Sequence, residues 1–436
     1  MNPVIIVPTY ISSRKSKDVS KIVDIYDHTT PLSAPGELPR LLTSMQVLPE
    51  KIPVMILVSS SEHIAEKAEQ KVCETVARFP EIPALVIGRK EEELVHQRMQ
   101  ALGITDVDEK IGLRGYAAIK NMGLVLANVF GFDSVIFVDD DEVIEDPEFI
   151  NKAMYGLGKL TKSGVPILAK SGYYFNSEGS YLSRSAHKWY NRYWDQGAAF
   201  NDWITKAMKG KRIQRSNHVC GGCLAIHKEA YNRVSFDPWI PRGEDMDYML
   251  DLRAYGSDIW FDNEWNLVHL PPASNDPALR FRQDVFRWLY MYRKIEFSRT
   301  QIDLLQIKPE SLMPYPGPFL QSNMYSKIWK TAQIRKYLKP HGLSYRKAAN
   351  TVRKEASEYA ADNCTKYFGF QNVWPEIMTR IANDKTLSKA ILQASKEALK
   401  THAEDKAVAQ EMKNYKINID PGSTGEIVLN IQDKMS

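Results

Sequence analysis

The chain has 436 residues, 44% hydrophobic and 25% charged, an ordinary globular composition with room for roughly two or three domains. A net charge of +4 is too small to argue for nucleic acid, and no run of about 18 apolar residues is present to cross a membrane. Four cysteines in a chain this long are no disulfide framework, so a reducing, cytoplasmic setting is expected.

The N-terminus, MNPVIIVPTY, enters a strand at once and lacks the basic and long apolar regions of a secretory signal. Val4 to Val7 predicts a first strand, followed by the turn Pro8-Thr9-Tyr10. Residues 11–36 are polar, with His28, Thr29 and Thr30 ahead of Pro31. They are long for a strand-to-helix connection, which marks them as functional or mobile. Glu37 to Met45 has helical spacing. Val54 to Val58 is a second buried strand running into Ser59-Ser60-Ser61. Ser61 is a candidate cap for a helix from Glu62 to about Phe79. Ala84 to Ile87 predicts a third strand, and Glu91 to Ala101 a charged helix. Within 112–130, Ile119, Met122, Leu126 and Val129 recur at helical spacing.

Ser134 to Asp141 reads SVIFVDDD, a buried strand that runs straight into three carboxylates. Strands alternating with helices up to this point predict a mostly parallel sheet in a doubly wound α/β domain. Ligands of such sheets sit beyond the carboxyl ends of the strands. Adjacent carboxylates repel one another there, and a hard divalent cation such as Mg²⁺, Mn²⁺ or Ca²⁺ removes the repulsion. The alternative is a solvated acidic loop before a helix that starts at Asp146-Pro147.

Further on, Glu148 to Lys162 predicts a helix, Ile167 to Phe175 a strand, and Lys188 to Met208 a helix rich in Trp and Tyr. Cys220-Gly221-Gly222-Cys223 leads into the strand-like Leu224-Ala225-Ile226, and its glycines indicate a close backbone approach. His218, Cys220, Cys223 and His227 are soft metal ligands, but Cys220 and Cys223 on a regular strand face opposite ways. Gly243-Glu244-Asp245 opens a helix from Met246 to Tyr255. Asp258 to Phe261 and Leu267 to Leu270 predict two short strands, ended by Pro271-Pro272. From Asn275 to about Lys413 helical patterns dominate, with the proline-rich Met313 to Pro318 as a linker. Ile427 to Ile431 is a candidate edge strand. Arg280 to Arg299 is basic and aromatic; it either lies on an anionic membrane surface or packs its rings inward.

Three clusters meet if this α/β reading holds: Asp139-Asp140-Asp141, Arg242-Gly243-Glu244-Asp245, and His269 at a strand end. Two Asp and one His make a ligand set for Mn²⁺ or Mg²⁺ with positions left for phosphate oxygens. Such a cation neutralises charge that develops on a leaving nucleotide. Asp245 stands at a helix N-terminus, where the dipole favours the ionised form. There it can act as general base toward a hydroxyl, or simply cap the helix. His269 is a ligand or a hydrogen-bonded strand-end histidine. Tyr173, Tyr174, Trp189, Trp194, Trp203 and Trp239 either stack on sugar rings or fill the core.

Taken in order, these segments resemble the family 2 glycosyltransferases with the GT-A fold. RGYAAIKNMGLVLANVFGFDSVIFVDDD (114–141) is similar to that family's (Arg/Lys)-Asn-x-Gly-Leu helix and the apolar strand leading into its D-x-D motif. Residues 220–270 are similar to its second half: a Gly-Gly strand, a Glu-Asp helix start, Arg253-x-x-Gly256, and a strand ending in His. VIIVPTY resembles its first strand. The resemblance covers roughly residues 3–272. It implies a GT-A type, Rossmann-like, mostly parallel central sheet flanked by helices over 1–272. The mostly helical 273–436 would then serve acceptor binding or homo-oligomerisation.

The resemblance further implies a divalent metal, Mn²⁺ or Mg²⁺, and a nucleotide diphosphate sugar whose sugar passes to a hydroxyl acceptor. Asp139, Asp141 and His269 would hold the metal. Asp245 would be the general base of an inverting displacement, with Glu244 supporting it. The donor side would take in Pro8, Thr9, Tyr10, Ser59, Arg114, Asn121, Asp139, Asp140 and Arg242. The acceptor side would take in Gly221, Gly222 and Trp239. The chain departs from the pattern at Ser59-Ser60-Ser61, where the family often has an acidic residue, and in the long segment 11–36. The register of the acidic run is open by one, so Asp140 with Glu142 is a second ligand pair. A retaining transferase, a nucleotidyltransferase and a non-catalytic carbohydrate-binding protein are the rival readings.

Overall fold

The computed structural model describes residues 1–13, 26, 28–272, 277–338, 345–346, 350 and 352–414. The first half of the chain runs β1 (Pro3–Ser12), β2 (Thr30–Pro31), α1 (Leu38–Ser44), β3 (Val54–Ser60), α2 (Ala65–Val76), β4 (Ala84–Ile87), α3 (Arg89–Ala101), α4 (Tyr116–Phe130), β5 (Ser134–Phe137) and β6 (Glu142–Val143). Then come α5 (Phe149–Met154), β7 (Ala169–Phe175), α6 (Gln196–Met208), β8 (Ile213–Arg215), β9 (Leu224–His227), α7 (Lys228–Tyr231), α8 (Glu244–Ala254) and β10 (Ile259–His269). The last helices are α9 (Pro277–Ser298), α10 (Met324–Leu338), α11 (Ser357–Arg380) and α12 (Lys385–Asn414).

The strands form one sheet in the order β4-β3-β1-β5-β9-β7-β10-β6, with β2 on β1 and β8 on β10. Pairing is parallel through β4, β3, β1 and β5 and again between β7 and β10, while β9, β6 and β8 run antiparallel to their neighbours. This geometry has one consequence for the site. The carboxyl ends of β1, β3, β5, β7 and β10 and the start of β9 all reach the same edge of the sheet.

Both faces of the sheet are covered, as near-continuous apolar strands require. Along β1, Val4 and Ile6 join one core, while Ile5 and Val7 join the other. Helix α4 is buried along nearly its whole length. It lies so close to β1 that a Cβ on Gly123 would come within 2.9 Å of Ile6. The helices after residue 277 extend the first core rather than standing apart: Trp288, Trp374 and Ile391 belong to the same cluster as Val4. Gln371 accepts from Ser235 N at 2.8 Å, Trp374 Nε1 donates to Tyr231 O at 2.8 Å, and Val86 N donates to Ser395 Oγ at 3.0 Å. Among the described residues no helix is long and apolar enough to cross a membrane.

Several elements differ from expectation. The helix expected over 148–162 stops at Met154, because Gly156 and Gly158 turn the chain at positive φ. The helix expected over 188–208 is a 3₁₀ turn, Trp189–Asn191, followed by α6, whose cap Asp195 accepts from Ala198 N at 2.9 Å. The two short strands after 258 are one strand, β10, with its register against β7 shifting between Phe261 and Asn266. The expected linker 313–318 is packed: Tyr315 and Phe319 are buried against Trp288. Arg280 to Arg299 lies in or just beyond α9, whose Phe281, Val285, Trp288 and Leu289 pack inward into the core. The candidate strand 427–431 lies outside the described residues.

Candidate active site

The acidic run leaves β5 at the shared sheet edge. Its side chains part at once. Asp140 turns toward β1 and accepts from Thr9 Oγ1 at 2.6 Å. Asp141 turns toward β10, where its Oδ2 lies 3.3 Å from His269 Nε2. Asp139 lies on the side of Lys120, and its backbone N donates to Glu142 Oε2 at 2.9 Å. β6 brings this about, since Glu142 pairs directly with His269 across the β6–β10 ladder. Arg40 fixes the corner from α1, donating to Asp141 O at 3.3 Å and to Leu270 O at 2.8 Å. The His269 ring rests against Tyr174, centroids 4.7 Å apart.

Opposite stands the start of α8. Gly243 adopts φ 71°, a left-handed conformation that favours glycine, and turns the chain into the helix. Glu244, buried, pairs with Lys120 Nζ at 2.8 Å. Asp245 is half-buried and accepts from Met246 N at 2.7 Å through Oδ1. The segment entering β9 runs between these groups. A Cβ on Gly221 would lie 3.0 Å from Lys120 Nζ and 3.2 Å from Asp245 Oδ2, and one on Gly222 only 2.3 Å from Glu142 Oε2. The two glycines are bare because polar groups crowd both sides.

Electrostatics follow from this crowding. Burial pushes the Asp139 carboxyl up to about 6; Lys120 opposes this, while Asp141 and Glu244 add to it. Burial, with Asp141 and Asp139 nearby, pushes Asp140 up to about 8 despite the Thr9 hydrogen bond. Glu142 is raised by burial, Asp139 and Asp141. Asp141 alone in the run sits below the usual carboxylate range: burial would raise it, but the hydrogen bond and charge of His269 outweigh that. Burial would lower Lys120, yet Glu244, Asp139 and Asp245 hold it above its ordinary range.

The donor chemistry fits a divalent cation. A carboxylate oxygen and an imidazole nitrogen meet at Asp141 and His269, with the Asp139 carboxylate two residues away, and the repulsion among the carboxylates is what a cation would relieve. Among the described residues no three His, Cys, Asp or Glu side chains converge tightly enough to hold an ion alone. A cation here would therefore take further ligands from water and phosphate oxygens, which is usual for Mg²⁺.

At the ends of β1 and β3, Tyr10, Tyr26 and Tyr116 form an aromatic trio with centroids 4.4, 5.3 and 5.1 Å apart. Tyr26 comes from the long segment after β1. Its hydroxyl accepts from Gly115 N at 2.6 Å and from Ser59 Oγ at 3.2 Å. Burial raises the Tyr10 phenol, and Glu244 and Asp139 contribute, so the trio borders the acidic cleft. Arg114 lines a depression of about 190 Å³ between the ends of β3 and β4, together with Ser60, Glu69 and Gly88. Arg242 pairs with Asp284 at 2.9 Å, as does Arg287 at 3.3 Å. Burial would raise Asp284, but Arg287, Arg242, Arg280 and Arg335 keep it low.

Two expected site residues are not brought to the cleft. Asn121 is fully buried and spends its amide on backbone, donating to Phe236 O at 2.9 Å and Lys110 O at 3.0 Å and accepting from Phe236 N at 2.8 Å. It pins α4 to the segment before α8. The Trp239 ring packs on Phe370 of α11, centroids 6.3 Å apart, away from Gly221. Cys220 and Cys223 precede β9 as buried thiols, which burial keeps protonated. Conversely, Lys120, Arg40 and Tyr26 border the site although no role was read for them. Only Lys120 left a signal, as a cation inside an otherwise apolar helix.

Fold and cleft together define an open α/β protein whose acidic strand end faces a carboxylate pair at a helix N-terminus. No protein-family model matches the sequence, and no curated protein is similar to it. Among solved structures the chain is similar to the mannosyltransferase PcManGT from Pyrobaculum calidifontis in complex with GDP-Man and Mn²⁺, at 11% identity over 89% of this chain and 86% of that one, TM-score 0.43. It is also similar to TarS of S. aureus, at 12% identity over 80% of this chain and 55% of that one, TM-score 0.31. A third likeness is to GalNAc-T7 with UDP, GalNAc and Mn²⁺, at 12% identity over 82% and 58%, TM-score 0.34. The chain thus spans little more than half the length of the latter two, 55% and 58%.

Proposed function

We propose that this chain transfers a glycosyl group from a nucleoside diphosphate sugar to a hydroxyl acceptor, with inversion. The observation that carries this reading is the bare Gly221-Gly222 backbone, with Asp245 and Lys120 beside Gly221 and Glu142, next to the Asp141–His269 pair, beside Gly222. Asp141, His269 and Asp139 would hold a divalent cation, Mn²⁺ or Mg²⁺, which would supply positive charge to offset that of the leaving diphosphate. The Thr9 hydrogen bond to Asp140 supports the ligand register of Asp139 with Asp141 over that of Asp140 with Glu142. Asp245 accepts the acceptor's hydroxyl proton as the new C–O bond forms and the bond to the phosphate oxygen breaks. Lys120 holds Glu244 beside it. Tyr10, Ser59 and Arg114, at the ends of β1 and β3 and the start of α4, receive the nucleoside.

Nucleoside diphosphates, with and without Mn²⁺, are titrated against thermal unfolding, since a ligand of the native state raises the melting temperature by mass action. Asp141→Ala is expected to lose the Mn²⁺-dependent rise. Asp245→Asn is expected to keep it while turnover falls by about 10²–10⁴. The product's anomeric configuration, read by NMR, distinguishes inversion from retention. Wild-type turnover in Asp141→Ala would sink the proposal.

A further inference from the structure

Outside the cleft, one surface carries chemistry that glycosyl transfer does not use. The 3₁₀ turn Trp189–Asn191 lies against α10. Arg335 donates to Asn191 Oδ1 at 2.8 Å, and the Lys330 ammonium stands 5.2 Å from the centre of the Tyr193 ring. Helix α10 buries Met324, Ile328 and Ala332 and turns Trp329, Lys330 and Tyr337 outward. Trp189 is 62% exposed, Trp329 50% and Tyr337 76%. An outward helix face in water ordinarily carries charge, and several exposed large aromatics on adjoining elements mark a contact surface.

The charge carried by these two segments has one sign. Met324–Leu338 holds Lys327, Lys330, Arg335 and Lys336 and no Asp or Glu. Residues 182–194 likewise contain no acid, and Lys188 and Arg192 flank the turn. Trp and Tyr, with an apolar body and a polar N–H or O–H, suit the headgroup level of a bilayer, and lysines beside them suit anionic lipid. The rings stand on the outside of a helix and a turn, a form that meets a flat surface.

We propose that the face formed by the turn 189–191 and the outer side of α10 docks this protein on an anionic lipid bilayer. The inner side of α10 reaches toward Arg242, since Arg335 also acts on Asp284, the partner of Arg242. The inference stands on exposure and charge and is independent of the reaction proposed above.

The full chain is sedimented with extruded vesicles of phosphatidylcholine alone or mixed with phosphatidylglycerol. Binding is expected to the mixed vesicles only and to weaken with salt. Lys330→Gln and Lys336→Gln should each weaken it about fivefold. Trp189→Ala combined with Trp329→Ala should weaken it at least tenfold and reduce the blue shift of tryptophan emission on adding vesicles. Trp189, Trp329 and Lys330 are exposed and Lys336 is half-buried beside the exposed Tyr337, so the melting temperatures of these variants should stay close to the parent's, which keeps a loss of binding distinct from misfolding. Failure to sediment with anionic vesicles, or equal binding to neutral ones, overturns the proposal. So does tight binding to dextran sulfate that the double tryptophan variant leaves intact, which would assign the face to a soluble polyanion.

Discussion

The buried Lys120 ammonium is kept protonated by the carboxylates of Glu244, Asp139 and Asp245 against the cost of its burial. A carboxyl whose pKa is higher in the folded than in the unfolded chain binds its proton more tightly when folded. Stability from such a group is greatest at low pH and falls as pH rises through the window between the two values. For Asp139 the window runs from about 4 to about 6, and for Asp140 from about 4 to about 8. Without a divalent cation, Asp140→Asn is therefore expected to be no more stable than the parent near pH 4 and more stable near pH 8. Melting temperatures of the two proteins across that range test this; parallel curves would show that Asp140 is not held under strain. The acidic run was legible in the sequence because it is a local feature, an apolar strand running into charge. Arg40 and Tyr26 were not, because their partners lie far along the chain: Arg40 meets Leu270, and Tyr26 meets Gly115.

Strand β10 shows how an element positions a residue. It runs unbroken from Ile259 to His269, but its register against β7 shifts between Phe261 and Asn266. The shift brings the Trp265 carbonyl against Gly172 of β7, where a Cβ would lie 2.2 Å from the oxygen and 2.6 Å from Cys223 Sγ. Neither the backbone oxygen nor the buried sulfur can give way cheaply. Gly172→Ala is thus expected to destabilise the fold by roughly 1–3 kcal/mol or more. It should also loosen the end of β10 that holds His269 beside Asp141. Urea unfolding reads the first effect, and an unchanged midpoint would count against so close an approach. From sequence, β10 reads as two short strands, since the polar Asp262, Asn263 and Glu264 interrupt its alternation. Antiparallel β8 carries the chain through that interruption by pairing at Asp262.

At the scale of the whole molecule, the helices after residue 277 and the sheet share one core. Trp374 of α11 is fully buried and donates to Tyr231 O at the end of α7. Trp374→Ala is expected to cost about 3–5 kcal/mol. Because the core is continuous, far-UV circular dichroism and tryptophan fluorescence should report a single unfolding transition, at a lower midpoint in the variant. Two separated transitions would contradict a shared core. By itself the sequence determined the alternation of strands and helices and the local motifs at their ends: SVIFVDDD, Gly243-Glu244-Asp245, and a strand closing on His269. Apolar periodicity and turn residues act over a few positions and leave their mark there. Only the tertiary structure decided which of these ends meet, that Asp140 bonds Thr9 while Asp141 meets His269, and that Asn121 and Trp239 serve packing instead of the cleft. Those outcomes depend on contacts between residues a hundred or more positions apart, and no local pattern encodes such a contact.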